Sequence, residues 1–135
     1  YAEQFLRYAA YADGKNSEYF SALGDVYLDQ SNYKNASGCF DTAALLGSRD
    51  IILYIANGNL KYTKLNNKIG ALKDFNIALT IDPLNIEALT NRGFYYFEIA
   101  DYNAALADFL AVKKIDPTNE KNIQYIEACK DKIKK

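Results

Sequence analysis

The residues that could do chemistry in this chain are carboxylates, because none of its 135 residues is a histidine. Without histidine, catalytic triads that use an imidazole base and metal sites with imidazole ligands are excluded. Asp25 and Asp29 are four positions apart, and such a pair on one helix could hold a metal ion or share a proton. No glycine-rich phosphate loop, nucleophile motif or further converging ligand accompanies them in the sequence. We therefore expect a solvated acidic face, no enzymatic activity and no cofactor.

Composition predicts one domain with a buried core. Half of the residues are apolar, and 16 basic residues stand against 17 acidic ones, which gives no general attraction to nucleic acid or to an anionic membrane. Cys39 and Cys129 are too few for a disulfide framework or a metal site. The longest apolar runs are far too short for membrane insertion. Because the sequence opens at Tyr1 without a methionine or a signal-peptide pattern, we expect a fragment of a longer, cytoplasmic protein.

The elements that would position these residues are clearest between residues 86 and 119. Leu89 and Gly93 are four positions apart and so share one side of a first helix. Asp101 can cap a second helix by accepting from its free backbone amides. Pro117 prevents that second helix from continuing. The stretch is therefore predicted to form a helix, a tight turn, a helix and a stop.

The same pattern recurs twice earlier in the chain, which indicates a repeat array. The second and third copies are 34 residues apart without a gap, whereas the first and second are 35 apart, so one extra residue has entered near residues 49–51. In each copy an alanine follows an aromatic residue by nine positions, and a phenylalanine follows that alanine by four. The recurring residues are Phe20, Leu23, Gly24, Tyr27, Ala36, Phe40 and Ala43; Tyr62, Ala71, Phe75 and Ala78; and Tyr96, Ala105, Phe109 and Val112. The predicted first helices cover residues 17–30, 51–64 and 85–98, and the second helices 33–46, 68–80 and 102–115.

This spacing of small and aromatic residues resembles the tetratricopeptide repeat signature, and Pro117 supplies its closing proline in the third copy. The resemblance implies an all-α fold, a right-handed superhelical solenoid of antiparallel helix pairs. Asn59, Arg92 and Arg49 depart from the pattern, at positions where the family has a small glycine, an apolar residue and a proline, so altered local packing is expected there. We predict a single domain, 1–135, made of the second helix of a preceding partial repeat (1–16), repeats at 17–51, 52–85 and 86–119, and a C-terminal capping helix (120–135).

In this family the first helices line a concave groove that binds peptides or partner helices. The resemblance therefore implies a protein-interaction scaffold whose groove asparagines, here Asn57 and Asn91, could hydrogen bond to a ligand backbone. A solvated polar face remains the alternative interpretation of both residues. Carried over by register, the groove positions are Glu18, Ser21, Ala22, Asp25, Leu28 and Asp29; Leu53, Ala56, Asn57, Leu60, Thr63 and Lys64; Glu87, Thr90, Asn91, Phe94, Phe97 and Glu98; and Lys121, Gln124 and Tyr125.

The charges at these positions argue against one well-known ligand class. Chaperone-binding members grip a C-terminal dicarboxylate with cationic and asparagine side chains. Here those places hold Ser21, Asp25, Asn57, Glu87 and Asn91, so only the middle asparagine, Asn57, is kept, and the three cationic places have become neutral or acidic. Acidic residues also outnumber basic ones across the whole set of groove positions. We therefore expect a protein or peptide ligand that is basic or mixed basic-apolar, and not a chaperone tail or an RNA, since RNA-binding helical repeats need cationic grooves.

A second interpretation stays open at this point. The exposed ends of the repeat array, particularly the helix predicted at 1–16, could pack against another subunit or against another part of the parent protein. The chain would then serve as a structural or self-assembly module, and a homo-oligomer could form through these ends. In that case Leu6→Asp should disrupt assembly.

Overall fold

The computed structural model describes residues 16–135, and every helix in that part of the chain begins next to an asparagine or aspartate cap. Oδ1 of Asn16 accepts from the backbone amide of Glu18 at 2.9 Å, and Oδ1 of Asp101 accepts from that of Ala104 at 3.2 Å. These side chains satisfy amide donors that a helix start leaves free. The helices are α1 (Ser17–Asp29), α2 (Tyr33–Leu45), α3 (Ile51–Thr63), α4 (Lys68–Ile81), α5 (Ile86–Glu98), α6 (Tyr102–Ile115) and α7 (Glu120–Lys134).

The predicted all-α architecture is confirmed, and no strand occurs between residues 16 and 135. The observed helix bounds agree with the predicted ones to within one residue. The turns inside the three helix pairs fall where the sequence placed them, each with one residue at positive φ: Ser31 at 56°, Asn66 at 50° and Ala100 at 63°. A left-handed residue of this kind reverses the chain within a few residues, so the second helix of each pair can turn back on the first.

The chain divides after Ala71 into two compact units. In the first unit, α1 packs against α2 and α2 packs against α3. In the second, α5 packs against α6 and α6 packs against α7. The division into repeats within a single domain stays a prediction.

In two of the helix pairs, a glycine on the first helix packs directly against a phenylalanine ring on the second helix. A Cβ atom added to Gly24 would lie 2.5 Å from Cε1 of Phe40, and one added to Gly93 would lie 2.6 Å from Cε1 of Phe109. Both phenylalanine rings are buried. At Gly24 and Gly93 the paired helices therefore approach so closely that only a residue without a Cβ atom fits against the facing ring.

The extra residue inferred from the repeat spacing lies in the loop before α3. This loop covers residues 46–50, whereas the loops before α5 and α7 cover residues 82–85 and 116–119. Gly47 takes up the additional length with a φ of 89°, a conformation that costs glycine little. The loop between the first two helix pairs is therefore longer and shaped differently from its counterparts.

Two expectations concern the chain before residue 16. The partial repeat predicted at 1–16 and the self-assembly role of Leu6 lie outside the described residues, apart from Asn16, which caps α1. Among helices α1 to α7, none combines the length and the apolar character that a bilayer crossing requires.

Candidate functional site

The first unit has a polar cavity of about 540 Å³ between α1 and the long loop that precedes α3. Four predicted groove residues line it from α1: Glu18, Ser21, Ala22 and Asp25. Arg49 and Asp50 line it from the loop, and sequence reasoning missed both of them. The extra loop residue was visible in the repeat spacing, but the spacing does not reveal which way the loop side chains point.

The cavity lining carries an excess of negative charge. Glu18, Asp25 and Asp50 stand against the single cation of Arg49. Partial burial, followed by repulsion from Asp29 and Asp50, raises the pKa of Asp25 above its ordinary value. A cationic group placed in the cavity would relieve this repulsion.

Asn57, one of the two predicted groove asparagines, is 1% exposed and makes hydrogen bonds inside the first unit. Its Oδ1 accepts from the hydroxyl of Ser37 at 2.8 Å, and its Nδ2 donates to Oδ1 of Asp41 at 2.9 Å. Nζ of Lys61 donates to the same Asp41 oxygen at 2.8 Å. A ligand-binding role for Asn57 stays a prediction, and it would require this network to open.

The other predicted groove residues of the first unit differ in exposure. Leu53 and Leu60 are buried, so their side chains belong to the core. Nζ of Lys64 lies 5.3 Å from the centre of the Tyr33 ring, a cation-π contact that ties the end of α3 to α2. Of the remaining positions, Ala22, Leu28 and Ala56 are half-buried, and Asp29 and Thr63 are exposed.

Asn91, the second predicted groove asparagine, differs from Asn57 in its hydrogen bonding. Its Nδ2 atom is buried and has no hydrogen-bond partner among residues 16–135. By repeat register, Leu72 and Asn76 take the places of the two residues that hold the Asn57 amide. Leucine offers no acceptor, and Oδ1 of Asn76 accepts from Arg92 instead. The side-chain amide nitrogen at this register position therefore has an acceptor on α3 and none on α5 among residues 16–135.

Aromatic side chains lie next to Asn91 on the same helix. Phe94 is one helical turn further along α5, and its ring centre lies 4.7 Å from that of Tyr125 on α7 and 5.7 Å from that of Phe109 on α6. The ring centre of Phe97 lies 5.2 Å from that of Tyr102. Phe94 and Phe97 are half-buried, so each contributes to the core and keeps part of its surface outside. Of the other predicted positions here, Thr90 is half-buried, and Glu87, Glu98, Lys121 and Gln124 are exposed.

Arg92 links three helices of the second unit, which sequence reasoning did not predict. Its Nε and Nη2 atoms donate to the two carboxylate oxygens of Asp108 at 2.9 and 2.7 Å, and Nη1 donates to Oδ1 of Asn76 at 2.9 Å. The hydrogen bond to Asp108 raises the pKa of Arg92, with burial acting in the opposite direction. The available signal was an arginine at a position where the repeat pattern expects an apolar residue.

No group of three or more histidine, cysteine, aspartate or glutamate side chains within residues 16–135 has an arrangement that could hold a metal ion.

Part of the chain matches a known family model, and nearly all of it is similar to a curated protein. The tetratricopeptide repeat family model matches residues 86–119. Among curated proteins, the chain is similar to the Hsp70-Hsp90 organizing protein of Triticum aestivum, with 27% identity over 134 residues that cover 99% of this chain. The chain spans only 23% of the length of that relative.

Solved structures share the fold at low sequence identity. The crystal structure of MamA protein matches with a TM-score of 0.86 and 18% identity, covering 97% of this chain and 71% of that one. The first TPR of Spaghetti (RPAP3) bound to HSP90 peptide SRMEEVD matches with a TM-score of 0.76 and 18% identity, covering 89% of this chain and 94% of that one. At this level of identity the likeness concerns the fold alone.

Proposed function

The chain belongs to the tetratricopeptide repeat family, and on this premise we propose that it is a protein-interaction scaffold that binds a peptide or helical segment of a partner protein. Binding would use the first-helix faces, as the groove of this family does, and would involve neither catalysis nor a cofactor. The cytoplasmic location expected from the sequence is part of the same proposal.

The observation that carries the proposal is the unpartnered Nδ2 atom of Asn91. A buried amide donor without a partner costs about 1–3 kcal/mol. A backbone carbonyl of a bound segment would supply the missing acceptor once the groups that cover Nδ2 move aside. The half-buried ring of Phe94, one turn away, offers apolar contact to a side chain of the same segment.

The acidic cavity of the first unit supports a basic or mixed basic-apolar partner. A lysine or arginine of that partner would offset the repulsion that Asp25 experiences from Asp29 and Asp50. Complementary charge of this kind chiefly affects the rate of encounter and the choice of partner. Nucleic acid is disfavoured for the same reason, because its phosphates would meet carboxylates.

Within this proposal, the site does not bind an acidic chaperone tail. The related first TPR of Spaghetti (RPAP3) is bound to the HSP90 peptide SRMEEVD, which has acidic residues next to its end. In this chain Asp25 and Glu87 take places where chaperone-binding members have polar or cationic side chains. A terminal carboxylate would meet like charges there.

Selection of random dodecapeptides displayed on phage would test the proposal. The selections run in parallel against the wild type, Asn91→Ala and the control Asn103→Ala, which removes an exposed amide on α6. Asn57→Ala is unsuitable, because it would break the buried network around Asp41. We expect peptides of net positive charge to be enriched by the wild type and the control, and to be recovered far less with Asn91→Ala.

Recovered peptides that bind the wild type and Asn91→Ala equally well would refute a role for the Asn91 amide. Enrichment of acidic peptides would refute the proposed charge preference, and the absence of any enrichment would refute peptide binding by this chain.

A further inference from the structure

The second unit has a cavity of about 370 Å³ between α4 and α5, and none of its lining residues belongs to the groove set. Leu79 and Leu89 are buried and form an apolar floor, and Pro83 adds an exposed apolar edge. The polar lining consists of Asn76 and Arg92, together with Thr80. An apolar floor with a few polar groups at its edge is the usual composition of a binding site for a side chain.

Arg92 and Asn76 at this cavity have N–H groups that do not donate to any residue of the described chain. Arg92 donates from Nε and Nη2 to Asp108 and from Nη1 to Asn76, which leaves one N–H on each of Nη1 and Nη2 without a partner in the described chain. The Oδ1 atom of Asn76 accepts from Arg92, so the amide nitrogen of Asn76 is left as a donor. The Thr80 hydroxyl already donates to the carbonyl of Ile77 at 2.6 Å. A ligand that binds at the edge of the cavity can therefore use a hydrogen-bond acceptor to bond to these N–H groups.

Charge decides which acceptor fits best. Both carboxylate oxygens of Asp108 are bonded to Arg92, so the pair is close to neutral as a unit. An anionic ligand would gain the arginine donors but would also meet the charge of Asp108. A neutral carbonyl gains the same hydrogen bonds without that repulsion.

We propose that this cavity is a second interaction site, which takes an apolar side chain of a partner protein while Asn76 and Arg92 donate to the neighbouring backbone carbonyl. The ligand is thus an uncharged apolar peptide segment. This site does not depend on Asn91 or on the acidic cavity of the first unit, so it can exist whether or not the proposed groove binding does.

The test uses isotope-labelled protein and nuclear magnetic resonance titration with three small probes. N-acetyl-leucinamide carries the apolar side chain and the carbonyls, N-acetyl-glycinamide carries the carbonyls alone, and acetate supplies an anion. We expect saturable shifts of the Asn76 side-chain amide and of the Thr80 and Arg92 signals with N-acetyl-leucinamide. The other two probes should bind at least about fivefold more weakly.

Two variants separate the parts of the proposal. Asn76→Asp keeps an oxygen that can accept from Arg92 but removes the amide donors, and we expect it to weaken N-acetyl-leucinamide binding about fivefold, with Asn103→Asp as the charge-matched control. Thr80→Tyr fills the opening from an exposed position and should abolish binding, whereas Thr118→Tyr, also exposed, should not.

The proposal is overturned if no saturable shift occurs in this cavity, if the shifts centre on Asn91 and Phe94 instead, or if acetate binds as well as N-acetyl-leucinamide. Unchanged affinity in both Asn76→Asp and Thr80→Tyr would overturn it as well.

Discussion

The ring of Phe109 occupies the space next to Gly93 that any larger side chain would need, since a Cβ atom at position 93 would lie 2.6 Å from Cε1 of the ring. Phe109 is 1% exposed and is part of the cluster with Ala105, Ile126 and Cys129, so it has little room to move. The contact brings α5 close to α6, and Asn91 and Phe94 lie on α5 within two residues of Gly93.

Gly93→Ala is expected to lower the free energy of unfolding by about 1–3 kcal/mol, because the new methyl group overpacks this contact. Gly38→Ala is the matched control: it also lies in a helix, but an added Cβ atom there meets nothing within 4 Å. The control should gain up to about 1 kcal/mol from helix propensity. Urea denaturation of both variants measures the two effects, and a loss of stability in the control equal to that of Gly93→Ala would contradict the packing argument.

How much of the molecule the sequence predicts depends on whether a feature is periodic. Helix bounds and turn positions follow from the repeat spacing, because the same pattern of small and aromatic residues recurs in each copy. The states of Asn57 and Asn91 do not follow from it. They occupy the same register position, but the residues on the preceding second helix differ between copies, so Nδ2 of Asn57 has a hydrogen-bond acceptor and Nδ2 of Asn91 has none among residues 16–135. Contacts made by residues that differ between the copies cannot be predicted from the repeat spacing, and only the structure reveals them.

Arg92→Leu restores the apolar residue that the repeat pattern expects, yet it should destabilise the protein. Asp108 is buried, and its two carboxylate oxygens accept from Arg92. Removing the arginine leaves a buried carboxylate without its cation, which costs about 3 kcal/mol. Denaturant unfolding should show this loss.

The double variant Arg92→Leu/Asp108→Leu tests the cause. Without the buried charge, its stability should return to within about 1 kcal/mol of the wild type. A double variant as unstable as Arg92→Leu alone would show that the arginine contributes by packing and not by neutralising Asp108.

Ala100→Gly should stabilise the protein, because Ala100 has a φ of 63° in the turn between α5 and α6. An alanine pays about 1 kcal/mol for this left-handed conformation, whereas glycine adopts it at little cost. Ala107→Gly, at an exposed position inside α6, should instead lose about 1 kcal/mol. Thermal unfolding of the pair should therefore give shifts of opposite sign, and shifts in the same direction would rule out relief of turn strain.

Asp25 gives the acidic cavity a pH dependence whose sign follows from its raised pKa. Because folding raises the pKa of this acid, the protonated form is favoured in the folded state. The stability it contributes is fully present below the ordinary aspartate value of 3.8, and it is lost as the pH rises through the folded value. Asp25→Asn should therefore be more stable than the wild type at neutral pH, and the difference should disappear as the pH falls towards 3.8.

The same charge connects stability to the proposed function. A cationic peptide in the cavity compensates Asp25, so Asp25→Asn should bind the selected basic peptides more weakly than the wild type at neutral pH while being the more stable protein. Asp131→Asn, which removes an exposed carboxylate on α7, is the control for net charge and should change neither property. The free energy of unfolding and the peptide affinity of both variants should be measured across pH. If Asp25→Asn gains stability without losing affinity, Asp25 does not contribute to peptide binding.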